Sequence, residues 1–131
     1  MAFKILLVDD EDPMRKSITR ELRGLEVEII ERKNGREALD ELLGKEKPAK
    51  IFNLLITDHL MPDLTGLQLI AEVKKHCPTI PIILMSGTLQ EKDVPEGVIF
   101  IAKPWRVKDK EGKEHNLLKE QVELFLKEAQ Q

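Results

Sequence analysis

Hydrophobic residues fall mainly into five short runs along the chain, at residues 5–8, 27–30, 54–56, 80–85 and 98–102. Runs of this length are typical of strands that are buried on both faces of a parallel sheet. Apolar residues also recur every three or four positions, which predicts four amphipathic helices. Asp12 followed by Pro13 predicts the start of the first helix, with Asp12 as its N-cap.

The alternation of strands and helices predicts an α/β domain with an open parallel sheet covered on both faces. Five strands favour the flavodoxin-like order 2-1-3-4-5, whose ligand crevice lies at the switch between strands 1 and 3. Residues 89–97 are too short for a full helix with two loops, so we expect a shortened or missing fourth helix. Residues 44–50 are predicted to be a polar loop, and the strongly charged residues 106–116 are predicted to be a loop or an extension. We expect residues 1–131 to form a single domain.

Composition then restricts the class of protein. With 41% hydrophobic and 34% charged residues, the chain is expected to be globular and soluble. A net charge of -3 gives no electrostatic footprint for nucleic acid. No apolar run approaches the length of a membrane span, and the first residues do not resemble a signal peptide. The single Cys77 excludes an internal disulfide, which fits a reducing compartment. Together these features lead us to expect a cytoplasmic protein without a nucleic-acid or membrane partner.

Polar side chains end four of the five predicted strands. Asp9 and Asp10 follow strand 1, Asp58 follows strand 3, Ser86 follows strand 4 and Lys103 follows strand 5. Parallel strands end at the same rim, and three carboxylates close together would raise one another's pKa unless a cation lies among them. Oxygen ligands favour a hard ion such as Mg²⁺. Taken alone, Asp58 is a nucleophile, a metal ligand or a helix cap.

An aspartate can also become an aspartyl phosphate. Transfer of a phosphoryl group requires charge to be neutralised around its three equatorial oxygens. Mg²⁺, the ammonium group of Lys103 and the hydroxyl of Ser86 would together provide that neutralisation. The set of side chains is therefore suited to phosphoryl transfer onto Asp58.

The chain resembles the receiver domain of two-component response regulators, and the resemblance covers nearly its whole length. Four groups of residues carry it, in order at four strand ends: Val8-Asp9-Asp10, Thr57-Asp58 with Met61-Pro62-Asp63 and Gly66, Ser86-Gly87, and Lys103-Pro104. One such group alone is a weak signal, whereas four in this order are specific.

The resemblance implies a phosphorylation site and a metal site. Asp58 would be the aspartate that accepts the phosphoryl group and would also contact the metal. Asp10 would bind Mg²⁺ directly, and Asp9 would hold the metal or its waters. The backbone carbonyl of Leu60 would complete the protein ligands.

The resemblance also implies a switch. Ser86 would donate a hydrogen bond to a phosphoryl oxygen, and Lys103 would pair with the phosphoryl group. The Lys103-Pro104 bond matches a cis peptide of the family. Phe100, three residues before the lysine, falls at the family's switch aromatic, although an aromatic at a strand end is equally explained as a core residue.

We therefore expect a signalling switch rather than a turnover enzyme. A histidine kinase or histidine phosphotransfer protein would phosphorylate Asp58, and interactions with an unidentified downstream protein would then change. The shortened segment before strand 5 places a standard activation dimer across that face in doubt. No effector module follows the last helix, so the chain either acts alone as a diffusible relay or is an excised domain.

Two other functions are weaker alternatives. A phosphatase that forms an aspartyl phosphate with a metabolite would require a second Asp two residues after the nucleophile, where Leu60 stands. It would also require a cap domain, for which the chain has no length. A pseudo-receiver would act as a binding module without phosphorylation. The intact acidic set argues against a pseudo-receiver, and loss of Mg²⁺ binding would favour it.

Overall fold

The computed structural model describes residues 2–44 and 52–131, which form seven strands and four α-helices. The strands are β1 (Phe3–Val8), β2 (Val27–Arg32), β3 (Leu54–Asp58), β4 (Ile82–Ser86), β5 (Ile99–Ala102), β6 (Arg106–Lys108) and β7 (Glu114–Asn116). The helices are α1 (Asp12–Glu21), α2 (Gly35–Leu42), α3 (Gly66–His76) and α4 (Leu117–Ala129). Residues 45–50 of the loop predicted at 44–50 lie outside the described residues.

Strands β1 to β5 form one parallel sheet in the order β2-β1-β3-β4-β5, which confirms the predicted flavodoxin-like order. In its register Val8 lies opposite Thr57, and Ser86 lies opposite Ala102. Residues that follow the ends of β1, β3, β4 and β5 therefore meet at one edge of the sheet. This is the edge at which open α/β sheets bind their ligands.

The hydrophobic core has one layer on each face of the sheet. Helices α1 and α4 pack against the face that contains Ile5 and Leu7 of β1, whereas α2 and α3 pack against the face that contains Leu6 and Val8. Because both faces are covered, all five residues of β3 are buried, which explains the apolar run at residues 54–56. None of the helices in the described part of the chain combines the length and apolar character needed to span a bilayer.

Side chains cap α2 and α3 but not α1. The Asn34 side chain accepts a hydrogen bond from the first turn of α2, and Thr65 opens α3 with a capping box. The predicted N-cap of α1 is wrong by one residue, because Glu11 is the N-cap and makes no side-chain cap hydrogen bond. Asp12 is the first helical residue, and its carboxylate contacts Arg15 instead.

A single 3₁₀ turn, Glu91–Asp93, stands between β4 and β5, which confirms that the fourth helix of the pattern is shortened. Leu89, Val94 and Val98 pack, partly buried, against the core layer under α2 and α3. Phe100 is half-buried in β5. Loop and strand side chains thus cover this end of the sheet, where the segment is too short for a full helix.

Residues 106–116, predicted to be a loop or an extension, form the antiparallel hairpin β6–β7, which the sequence did not predict. In the hairpin turn, Asp109 accepts hydrogen bonds from the backbone N–H groups of Glu111 and Lys113 at 3.0 and 2.9 Å. Gly112 has φ of +80°, in the left-handed region that favours glycine. All three residues of β6 are exposed, so the strand carries no apolar pattern that sequence reasoning could detect.

Side-chain contacts fix the hairpin to α1. The Arg106 guanidinium donates to both carboxylate oxygens of Glu21, at 2.7 to 3.1 Å, and the Asn116 amide donates to the same carboxylate. Trp105, directly before the hairpin, is buried in the core with Leu118 of α4. The hairpin is therefore held by the end of α1 on one side and by the helix that follows it.

His115 links the hairpin turn to α4. Its Nε2 lies 2.9 Å from Asp109 Oδ2, and its Nδ1 lies 3.2 Å from Glu120 Oε2. A carboxylate oxygen only accepts hydrogen bonds, so both ring nitrogens donate only when the imidazole is protonated. The hydrogen bonds to Asp109 and then Glu120 raise the pKa of His115, and the hydrogen bond from His115 lowers the pKa of Asp109.

We predict that His115→Gln lowers the free energy of unfolding most at pH values between the lowered pKa of Asp109 and the raised pKa of His115. The raised pKa of His115 adds stability that is fully present below its ordinary value of 6.5 and is lost as pH rises through the folded value. The lowered pKa of Asp109 adds stability above its ordinary value of 3.8 that is lost as pH falls through the folded value. Urea denaturation at several pH values measures the difference.

The exposed His76, at the end of α3, provides the matched control as His76→Gln. This control should follow the parent at every pH. A difference between His115→Gln and the parent that grows as the solution becomes alkaline would contradict the assignment of a protonated His115.

Candidate functional site

Three carboxylates meet where β1 and β3 end. Asp9, Asp10 and Asp58 each offer an oxygen, and these oxygens all lie within 4.8 Å of one another. Asp9 and Asp58 are buried, with 1% and 7% of their surface exposed, whereas Asp10 is exposed. The cluster thus has two carboxylates removed from solvent and one that is accessible from outside.

Lys103 supplies a positive charge to this cluster. Its Nζ lies 2.7 Å from Asp58 Oδ1 and 3.8 Å from Asp9 Oδ2. The backbone N–H of Lys103 donates to the Ser86 carbonyl, which ties the lysine to the end of β4. The Lys103-Pro104 peptide is cis, as the resemblance implies.

Asp9 has one satisfied and one unsatisfied carboxylate oxygen. Its Oδ1 accepts a hydrogen bond from the Glu11 backbone N–H at 2.9 Å. Its Oδ2 is buried and has no hydrogen-bond partner within the described residues, and Lys103 lies at the longer distance of an ion pair. Burial and the neighbouring charge of Asp58 raise the pKa of Asp9 to about 6, against the opposing Glu11 hydrogen bond and the charge of Lys103.

These residues fit a magnesium ion. The donors are carboxylate oxygens only, which suits a hard cation, and Mg²⁺ is commonly bound by one or two carboxylates together with waters. A cation would also satisfy the buried Oδ2 of Asp9. Leu60 lies in the loop after β3, and the role of its carbonyl as a ligand stays a prediction.

Ser86 is buried at the end of β4 and makes local hydrogen bonds. Its Oγ accepts from the backbone N–H groups of Thr88 and Leu89 at 3.0 and 2.9 Å, and lies 3.2 Å from the Thr88 hydroxyl. Two accepted bonds occupy the lone pairs of the hydroxyl, which leaves its proton to donate. The switch roles of Ser86 and Phe100 stay predictions.

Gly66 allows α3 to approach the backbone at the end of β3. A Cβ at this position would lie 2.4 Å from the Asp58 carbonyl oxygen and 2.9 Å from the His59 Cα. Both are backbone atoms, which cannot move aside as a flexible side chain can. The sequence motif contained Gly66, but only the structure shows that it permits this contact.

Sequence reasoning missed Arg15. This residue lies in α1, and its guanidinium contacts the Asp9 carbonyl and the Asp12 carboxylate. The available signal was its spacing of three residues from Asp12, which places the two side chains on the same side of a helix. Basic residues on helix surfaces are common, so this spacing alone does not indicate a site.

Comparison with known proteins places the chain in a family. The model of the response regulator receiver domain matches residues 5–112, so the chain belongs to the response regulator receiver domain family. Receiver domains of two-component systems interact with histidine kinases and downstream effectors, and they bind Mg²⁺ at an acidic pocket. The cluster of Asp9, Asp10 and Asp58 is such a pocket in composition.

Two relatives illustrate the range of the similarity. The response regulator receiver protein CpdR of Brucella abortus is 27% identical over 111 residues, which cover 81% of this chain and 88% of CpdR. The two-component response regulator-like protein PRR37 of Oryza sativa is 33% identical over 110 residues, which cover 79% of this chain. The match spans only 14% of the length of the rice protein.

Solved structures show the same fold. The phosphorylated cyanobacterial phytochrome response regulator RcpA superposes with a TM-score of 0.76 at 22% identity, over 96% of this chain and 95% of RcpA. The receiver domain of the hybrid histidine kinase CckA superposes with a TM-score of 0.67 at 32% identity, over 94% of this chain and 98% of that domain. The predicted family and fold are therefore confirmed.

We predict that Gly66→Ala destabilises the protein by about 1–3 kcal/mol, because the added methyl group overpacks against the Asp58 carbonyl. Denaturant unfolding monitored by circular dichroism measures the change. Gly87→Ala is the matched control, since a Cβ there would lie 4.0 Å from its nearest neighbour, Lys103 Cβ. Equal stability of Gly66→Ala and the parent would contradict the close contact.

We also predict that Asp9→Asn stabilises the metal-free protein at neutral pH. The raised pKa of Asp9 means that folding favours its protonated form, so stability is lost as pH rises from its ordinary value of 3.8 through about 6. A rise of two pKa units corresponds to an upper bound of about 3 kcal/mol at pH 7. The gain should vanish at low pH.

Unfolding in the presence of EDTA at several pH values tests this dependence. Asp10→Asn, which removes an exposed carboxylate from the same cluster, is the control and should give the smaller gain. A gain for Asp9→Asn that stays constant from acid to neutral pH would show that burial does not perturb this carboxylate.

Proposed function

We propose that this receiver domain accepts a phosphoryl group on Asp58 from a histidine kinase or histidine phosphotransfer protein, in a Mg²⁺-dependent reaction. The observation that carries the proposal is the ion pair of the buried Asp58 with the partly buried Lys103, 2.7 Å apart, within a cluster of three carboxylates. The protein would act as a signalling module rather than as an enzyme that turns over a small substrate.

The carboxylates of Asp9, Asp10 and Asp58 and the carbonyl of Leu60 would hold the ion. When bound, Mg²⁺ would neutralise part of the charge on the phosphoryl oxygens. Binding of Mg²⁺ would account for the excess of negative charge in the cluster. Among the described residues, Lys103 is the side-chain cation nearest to the two buried carboxylates.

In the transfer, an Asp58 carboxylate oxygen forms a bond to phosphorus as the phosphorus–nitrogen bond of the donor phosphohistidine breaks. The imidazole nitrogen leaves with the electron pair of that bond. Lys103, already paired with Asp58, is close enough to pair with a phosphoryl oxygen. The Ser86 hydroxyl would turn its proton from the Thr88 hydroxyl to donate a hydrogen bond to another phosphoryl oxygen.

Phosphorylation would then change the protein's interactions through Ser86 and Phe100. Formation of a bond between Ser86 and the phosphoryl group would compete with the hydrogen bonds to Thr88 and Leu89. Phe100 is half-buried in β5, the strand that follows the shortened segment. The downstream protein would bind this side of the sheet.

We predict that the parent gains one phosphoryl group on incubation with acetyl phosphate and Mg²⁺, and that Asp58→Asn gains none. Intact-mass spectrometry measures the addition. Asp63→Asn, which changes an exposed acid in the loop after β3, is the matched control and should react like the parent. No addition to the parent, together with no Mg²⁺ binding, would establish the pseudo-receiver function instead.

A further inference from the structure

Arg15 contacts three separate parts of the chain beside the acidic cluster. Its Nη1 donates to the backbone carbonyl of Asp9, and its Nη2 contacts the carboxylate of Asp12. Its Nε lies 3.4 Å from the Glu31 carboxylate on β2. The side chain is only 13% exposed, so the fork of the guanidinium is largely enclosed by these groups.

We infer that Arg15 is a positioning residue for the metal-binding carboxylates, an inference that rests on the proposed function. The Asp9 carbonyl belongs to the planar peptide unit that joins Asp9 to Asp10. The orientation of this unit decides in which directions the two consecutive carboxylates point. By binding that carbonyl, Arg15 fixes one side chain towards the buried cluster and the other at its exposed edge.

The backbone of Asp9 is held from both sides. Its N–H donates to the Arg32 carbonyl on β2 at 3.2 Å, and its carbonyl accepts from Arg15. The contact between Arg15 and Glu31 ties the same guanidinium to β2. The peptide between Asp9 and Asp10 is thereby fixed relative to the sheet, and not only relative to the loop that contains it.

The charge of Arg15 and its geometry act on Mg²⁺ binding in opposite directions. A cation near the site repels a bound dication, so removal of the charge alone would tighten binding. Asp12 and Glu31 pair with the guanidinium and reduce that repulsion. Loss of the hydrogen bond to Asp9 releases the peptide, which weakens binding. The sign of the change therefore separates the two effects.

Arginine and lysine carry the same charge but differ in the geometry of their hydrogen-bond donors. Arginine has five N–H donors in a planar fork, and here it reaches three acceptors at once. Lysine retains the positive charge but concentrates its donors at one point. Arg15→Lys therefore preserves the charge and removes the geometry, whereas Arg15→Met removes both.

The test is the Mg²⁺ dissociation constant of the full chain, measured by isothermal titration calorimetry at fixed ionic strength. Substitutions of groups that orient metal ligands commonly weaken metal affinity by about 10–100-fold, and we expect roughly 10-fold for Arg15→Met. Arg15→Lys should also bind more weakly than the parent, by at least about 3-fold on the same scale. Arg20→Met, at an exposed position on the same helix, is the control and should bind as the parent does.

Unfolding curves in EDTA show whether each variant is folded at the titration temperature. If Arg15→Met does not fold, Arg15→Lys, which keeps the charge and an aliphatic stem, decides the question. A folded Arg15 variant that binds Mg²⁺ as tightly as the parent, or more tightly, overturns the inference. A variant that only loses thermal stability, with unchanged affinity, assigns Arg15 a structural role and also overturns it.

Failure of the proposed function gives a different result. If the parent itself binds no Mg²⁺ and accepts no phosphoryl group, the receiver function fails before any variant is compared. If the parent binds Mg²⁺ and both Arg15 variants bind it equally well, the receiver function stands and only the role of Arg15 is withdrawn.

Discussion

The ion pair between Lys103 and Asp58 is the interaction on which the rest of the site depends. Two carboxylates, Asp9 and Asp58, are almost fully removed from water, and each charge buried in this way is costly unless it is paired. One ammonium group contacts Asp58 closely and Asp9 only at a distance, so the negative charge exceeds the positive charge supplied by Lys103. This excess of negative charge would favour a further cation at the site.

The fold makes this pairing possible through strand order. Lys103 follows β5, and Asp58 ends β3, so β4 lies between the two residues in the sheet. Only a long side chain that leans back across β4 reaches the carboxylate, and lysine has that length. On the opposite side of β3, the neighbour is β1, which brings Asp9 to the same edge. A sheet with another order would separate the charges.

The sequence predicted the elements that burial controls. All five strands of the main sheet were found from their short apolar runs, and β3 and β4 are buried throughout. Helices α3 and α4 were found because one face of each is apolar. The hairpin β6–β7 was missed because long-range polar contacts, chiefly that of Arg106 with Glu21, hold it in place. Such contacts leave no periodic signal in the sequence.

Within the site, too, the sequence predicted some residues and left others to be found in the structure. The convergence of Asp9, Asp58 and Lys103 follows from parallel strands that end at one rim, so their spacing along the chain was informative. Arg15 acts through a backbone carbonyl, and no side-chain pattern records which carbonyl a guanidinium will reach. Trp105 follows a strand end, and only the structure shows that it is buried in the core.

The family match ends inside the hairpin. The match stops at residue 112, inside the hairpin turn, although the superposition with RcpA extends over 96% of the chain. The turn is closed by its own bonds to Asp109, and its tip at residues 110–112 is exposed. Exposed tips of this kind tolerate insertions. A fluorescent label or short peptide carried there would lie on a segment joined to Lys103 through Pro104 and Trp105, and would report on the site without entering it.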